Sequence, residues 1–367
     1  LMMRETKYIR QVLITALALV ALIAAVNYIV NPLGVYGTPV IKGFNDSTPA
    51  ATAYARLKKR EDIKRIKPDI LITGSSRADI AFDPRPELFG KNRAYNAGLP
   101  ASSIREQRMM LEFAAAVHPL KTAIITLDFF SFNAKRPENK QFNPKSLAPE
   151  TLNIPRTFFE TYGTLVSLDT LIASHKHLRY IKQLDRRAQI LPNGRKTNAD
   201  TAHEINQRGA HHLFTNPPNA AEITSDDFSF SYSGAPGDTT FRHLDAMLNL
   251  ARQRNIDVIL LIPPVHESFL VAQDKAGMTN AVKEWKKRLA ATVTANAAHY
   301  NAQPYPLWDF AYKNAYTAEP VPAEGDTKSR MQWFWDSNHA KPELGDIILR
   351  HVLKHPEAPT SFGIRLL

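Results

Sequence analysis

The chain has no cysteine. Disulfides and thiolate metal sites are therefore excluded, and an oxidising compartment is compatible with the composition. Acids are fewer than bases, which leaves a formal net charge of +11. A basic solvated surface is the ordinary reading of that excess; attraction to anionic polymers or lipid headgroups is the functional one. No zinc-finger, RNP-type or basic-helix pattern occurs, so nucleic acid is not an expected partner. No internal repeat and no low-complexity tract interrupts the chain. Apolar content is ordinary, and 367 residues suffice for a full core in one large or two ordinary domains.

Strongly polar residues are nearly missing from one stretch. Val12 to Val30 reads VLITALALVALIAAVNYIV, with Asn27 its one strongly polar member. At 1.5 Å per residue, such a run nearly matches a hydrocarbon core of about 30 Å. Arg4, Lys7 and Arg10 precede it, which keeps the short N-terminal end in the cytoplasm. A cleaved signal peptide is the competing reading. The run is long for that purpose, and no clean small-x-small site ends it before Asn31-Pro32. The expectation is an uncleaved single-pass anchor in the plasma membrane, with the rest in the periplasm or outside the cell.

Residues 33–66 read as a juxtamembrane linker followed by a helix. That helix carries a basic cluster (Lys58, Lys59, Arg60, Lys64, Arg65), expected on a solvated face or against headgroups. From residue 67, strands alternate with helices. Strand-like runs are Asp69–Thr73, Arg93–Tyr95, Thr122–Leu127, Asp257–Ile262 and Pro304–Asp309. Helical patterns fall near 103–117, 240–255, 281–297 and from Pro342 to about Lys354. The alternation predicts an α/β fold with a parallel, doubly wound sheet, and ligands at the carboxyl ends of the strands. Residues from about 133 to 238 break the rhythm and are too long for a loop. They read as an inserted cap.

Two motifs suggest chemistry. Gly74-Ser75-Ser76-Arg77 ends the first strand, and Asp336-Ser337-Asn338-His339 precedes the last helix. A serine and an Asp-x-x-His far apart in sequence can meet as a triad, with Ser76 as nucleophile, His339 as base and Asp336 as its orienter. Ser75 is the rival nucleophile. The ordinary reading of each motif is a turn and a helix cap. Trp333-Phe334-Trp335 leads into the second motif; Trp335 lines an acyl or sugar pocket, or the trio packs in the core. Arg77 binds a substrate carboxylate or phosphate, or pairs with a nearby acid. His266, with Glu267, borders the pocket or lies on a surface loop. His203, His211 and His212 are a weak metal candidate, because adjacent histidines point apart; no metal or cofactor is expected.

Gly-x-Ser after the first strand, Asn-x-Gly after the second (Asn96-Ala97-Gly98) and Asp-x-x-His before the last helix resemble the SGNH/GDSL hydrolases. The resemblance implies a flavodoxin-like fold of that type and maps the nucleophile onto Ser76. It maps oxyanion donors onto the amides of Ser76 and Gly98. The third donor of the family, an asparagine, maps onto Asp128, and an ionised carboxylate cannot donate. With the anchor, the chain is similar to accessory proteins of bacterial polysaccharide and cell-wall O-acylation, which work beside a multispanning membrane acyltransferase. That similarity implies an acyl donor reached through such a partner and a glycan acceptor. An esterase, or a non-catalytic scaffold or glycan-binding subunit, remains the alternative.

Overall fold

Aliphatic runs form the strands of a six-stranded sheet in a computed structural model, which describes residues 2–149, 155–215, 228–232, 237–358 and 362–367. The strands are β1 (Ile70–Thr73), β2 (Ala94–Asn96), β3 (Thr122–Thr126), β4 (Asp257–Ile262), β5 (Leu307–Asp309) and β6 (Ile364–Arg365). Their order is β2-β1-β3-β4-β5-β6. The first five run parallel, and β6 pairs antiparallel with β5. The protein is thus α/β with a mixed, mostly parallel sheet, not the wholly parallel one expected. A two-residue edge strand carries no periodicity, so β6 had no signature to read.

The helices, in chain order, are α1 (Met2–Val30), α2 (Ala55–Ile66), α3 (Ser76–Ala81), α4 (Pro86–Phe89), α5 (Ile104–Val117), α6 (Pro155–Tyr162) and α7 (Leu168–Arg179). Then come α8 (Ala199–Arg208), α9 (His212–Thr215), α10 (Phe241–Arg254), α11 (Glu267–Lys275), α12 (Thr279–His299) and α13 (Pro342–Val352). Alternate strand residues feed two cores. Leu71, Ala123, Ile125, Val258 and Leu260 pack with Leu111 of α5, Leu244, Met247 and Leu248 of α10, and Trp285 and Leu289 of α12. Ile70, Ile72, Ile124 and Leu261 face the other way, onto Ala78 and Ala81 of α3 and Leu344, Ile348 and Leu349 of α13. Burial on both faces explains why the strands read as continuous apolar runs.

The basic helix α2 departs from expectation. Lys58, Lys59, Arg60 and Asp62 are buried, and each base has an acid. Lys59 Nζ meets Asp79 Oδ1 at 2.6 Å, Arg60 meets Glu160 at 2.5 Å, and Lys58 pairs with Asp62. Arg56 meets Glu106 of α5 at 2.7 Å. Most of these acids sit in distant elements, so local charge counting could not foresee the burial. Burial pushes the Lys59 ammonium down, against the pull of Asp79.

The segment 133–238 serves two neighbours; residues 150–154, 216–227 and 233–236 of it lie outside the described residues. Its later part locks onto the end of β2 and onto α3: Asn193 O accepts from the Asn96 amide at 2.9 Å, and Asp79 O accepts from the Lys196 amide at 2.8 Å. Its earlier part packs on α1 through residues 163–166 and α7, with α6 against residues 163–166. The stretch Glu5–Val30 of α1 is long and apolar enough to cross a membrane, and little of it is covered by protein.

Candidate active site

Gly74 follows β1 where the chain passes close to β3. A side chain there would overlap Thr126 Oγ1, so only glycine lets the turn form. Ser75 then caps α3: its Oγ accepts from the Arg77 amide at 3.2 Å and donates to Asp128 Oδ2 at 2.5 Å. Ser75 is fully buried, which removes it as the rival nucleophile. Ser76 opens the helix and remains partly accessible.

The second motif sits in a hairpin. Phe334 and Ala340 form a bridge, and the Trp335 amide donates to His339 O at 2.9 Å. Phe334 is fully buried in the core shared with α3 and α13. The hairpin is also tied from outside: the Ser337 amide donates to Leu213 O, and Ser337 O accepts from the His266 amide at 3.0 Å. Asp336 Oδ1 accepts the Asn338 and His339 amides at 2.7 and 2.9 Å, which folds the turn back on itself.

The fold brings Ser76, His339 and Asp336 together. Ser76 Oγ lies 2.9 Å from His339 Nε2, and His339 Nδ1 lies 2.9 and 3.0 Å from the two Asp336 oxygens. Beside a carboxylate, Nδ1 carries the ring proton, which leaves Nε2 to accept from the serine. Burial pushes the Asp336 carboxyl up, but His339 and the two amide donors outweigh it and hold the group below its usual value.

Under this trio runs a second, buried chain of contacts. Arg77 Nη1 donates to Asp128 Oδ1 at 2.7 Å, and Nη2 donates to Asn338 Oδ1 at 3.1 Å. The guanidinium also lies over the Phe130 and Phe269 rings, 5.1 and 5.0 Å from their centroids. Arg77 follows Ser76 and Asn338 precedes His339, so this contact sets the serine and the imidazole relative to each other. Three candidates take structural roles here. Arg77 is buried and pairs with a nearby acid, the second of its two readings, so it braces the site instead of facing a substrate. Asp128 gives its oxygens to Ser75 and Arg77, so it is an internal anchor and no oxyanion donor. His266 is also buried: its Nδ1 accepts the Ser268 amide, its Nε2 lies 2.8 Å from Glu319 O, and its ring packs on Phe214 and Phe334. It supports the hairpin from behind.

Gly98 is corrected as well. Its amide donates to Asn96 Oδ1 at 2.8 Å, because Asn96 is itself pinned by donating to Ala78 O and Phe82 O. A side chain at Gly98 would sit 2.6 Å from the Asp79 amide, so this glycine serves close packing of β2 against α3. The Ser76 amide, first in its helix, has no intrahelical acceptor and is the open donor of the three expected. Trp335 is half-buried beside His339, with Lys341 Nζ 4.6 Å from its ring centre and its indole N–H unpartnered.

His203 contacts Gln207, His211 contacts Pro322 O, and His212 contacts Glu204. Among the described residues no three metal-ligating side chains gather. Sequence reasoning missed Asn338 and the capping role of Ser75; a serine preceding a helix was the one local signal for the latter. No protein-family model matches the chain, and no curated protein matches its sequence.

Proposed function

We propose that this chain is a membrane-anchored, extracytoplasmic acyl-transferring enzyme of the SGNH type. One observation carries the reading: Ser76 Oγ, His339 and Asp336 stand in hydrogen-bonded series at 2.9 and 2.9 Å. The 2-1-3-4-5 order of the parallel strands, with helices on both faces, fits a doubly wound fold of that type. The position of Ser76 at the carboxyl end of β1 fits its ligand side. The apolar α1 supports a single-pass anchor with the α/β domain on the periplasmic or outer side.

The chemistry follows from the donor set. Ser76 Oγ attacks an acyl carbonyl while His339 Nε2 takes its proton; Asp336 holds the imidazole and stabilises the imidazolium. The Ser76 amide donates to the developing oxyanion. The tetrahedral adduct collapses, the leaving alcohol takes the proton from His339, and an ester remains on Ser76. An acceptor hydroxyl then repeats the steps in reverse. A glycan hydroxyl makes the enzyme an O-acetyltransferase of exopolysaccharide or cell wall, with its acyl donor supplied through a multispanning membrane acyltransferase. Water makes it a carbohydrate esterase with the same residues.

A second reading, a non-catalytic scaffold or glycan-binding subunit, is favoured by the occupied Gly98 amide and the buried Asp128. The test is release of a chromogenic acetyl ester by the full-length protein in detergent, wild type against Ser76→Ala. A loss of about 10³-fold or more is expected. Equal rates sink the catalytic reading and leave the scaffold. Adding a glycan acceptor then separates transfer from hydrolysis by which product carries the acetyl group.

A further inference from the structure

Helix α7 is built inside out. Its buried positions are Thr170, Ser174 and His177, spaced along one face. Ser174 Oγ donates to Asn27 Oδ1 at 2.8 Å, and His177 Nε2 lies 2.5 Å from Phe44 O. Asn27 Nδ2 donates to Leu165 O at 2.8 Å. The one strongly polar residue of the α1 apolar run is thus fully buried and satisfied by the α7 side. Outward, α7 presents Leu168, Ile172 and Leu178, exposed to 68%, 52% and 44%, with Asp169 and His175 exposed among them. The preceding α6 presents Phe158, Phe159 and Tyr162, and Val166 lies between the two helices, also exposed.

A water-facing helix has the opposite pattern, with apolar residues toward the core. Polar contacts within and apolar side chains without are what a lipid environment selects, because an unsatisfied polar group there has no water to turn to. The level along α1 agrees. About 20 residues span a hydrocarbon core of roughly 30 Å. Counted from Val12, just after Arg10, the outer boundary falls near Asn31, and Asn27 with its α7 partners lies one turn inside. Exposed Tyr28 and Tyr162 both pack on the Tyr36 ring just past that boundary, where aromatic rings favour the interface. Exposed Lys176 and Arg179 in the last turn of α7, and Lys182, Arg186 and Arg187 just after it, are suited to anionic headgroups.

We propose that residues 158–180 form a membrane-seated face: α6 and α7 lie in the outer leaflet beside α1, their apolar side chains among lipid acyl chains. The occupant is the bilayer itself. The α/β domain is then fixed against the membrane surface instead of swinging on a tether, and its orientation toward any membrane-borne acyl donor is set by this seat. The inference rests on the reading of α1 as a membrane span.

The absence of cysteine makes single-site labelling clean. Phe159→Cys, Leu168→Cys and Leu19→Cys in α1, with Lys287→Cys on α12 as the aqueous reference, are each spin-labelled in the full-length protein. The protein is reconstituted in phosphatidylethanolamine–phosphatidylglycerol vesicles. Collision with oxygen, which partitions into lipid, is compared with collision with a water-soluble nickel chelate. The expected result is an oxygen-over-nickel ratio at positions 159 and 168 that approaches Leu19 and well exceeds Lys287. Nickel-accessible labels at 159 and 168, with Leu19 in lipid, overturn the seat and spare the anchor. A nickel-accessible label at Leu19 overturns the anchor reading itself. Labels at 159 and 168 shielded from both reagents also overturn the proposal, since protein and not lipid would then cover the face.

Discussion

Helices α10 and α7 carry opposite solutions to one problem. In α10 the buried positions include Phe241, Leu244, Met247, Leu248 and Ala251, and exposed Arg242, Gln253 and Arg254 face outward. In α7 the buried positions are Thr170, Ser174 and His177, while Leu168 and Ile172 face outward. The first pattern gains stability by removing apolar area from water. The second cannot do so, and its interior rests on hydrogen bonds to Asn27 and Phe44. The difference teaches where each helix lives: α10 belongs to a domain folded in water, and α7 has the pattern of a helix at the edge of lipid.

That contrast can be broken by measurement. The largest stability effect is expected inside the water-folded domain at Arg77→Met, which leaves Asp128 buried without its charged partner. A loss of about 3–5 kcal/mol follows, read as a fall in denaturation midpoint for the protein in detergent; the ester turnover proposed for Ser76 should fall with it, because Asn338 loses its tether. A midpoint near wild type would mean the brace is dispensable. Next, Leu244→Ala in α10 should cost about 2–5 kcal/mol, while Leu168→Ser in α7 should change stability in detergent by no more than about 0.5 kcal/mol. Equal losses would show that α7 packs its apolar face on protein, and the contrast would fail.

The last effect concerns pH. Burial, followed by the nearby Arg108 and Arg242 charges, pushes the His243 imidazole down to about 3 from an ordinary 6.5. A depressed value means the folded state holds this ring neutral while the unfolded chain takes up a proton. Stability is therefore intact above about pH 6.5 and erodes as pH falls toward 3. His243→Gln should flatten thermal stability across that window; an unchanged slope would assign the acid sensitivity elsewhere. Because His243 lies in α10, this test again separates the α/β domain from α6 and α7.

Much of the fold was legible because local pattern and tertiary role agreed. DVILLI at 257–262 became β4 with those limits, and Pro342 starts α13. Ser76, Asp336 and His339 could be named because each stands in a short motif at an element boundary. What stayed hidden was decided by partners far along the chain. Arg77 read equally as a substrate ligand or as the partner of a nearby acid until Asp128 and Asn338 closed around it. His266 read as a pocket rim or a surface-loop residue until Phe214 and Phe334 packed on it. The Gly98 amide looked free until the Asn96 side chain, pinned by two carbonyls, turned back onto it. The basic run of α2 read as a wet surface, because its acids, Asp79, Glu106 and Glu160, come from three other helices.

By itself the sequence determined the membrane-length apolar helix, the alternating α/β core and the residue types able to run acyl chemistry. Hydrophobic periodicity and chain-local turn chemistry are properties of neighbouring residues. The tertiary structure alone decided which serine faces the imidazole, which polar groups are consumed as braces, and which way α7 turns its apolar side. Those outcomes depend on which side chains from distant segments reach a buried donor or acceptor first, because such groups cannot be left unpaired.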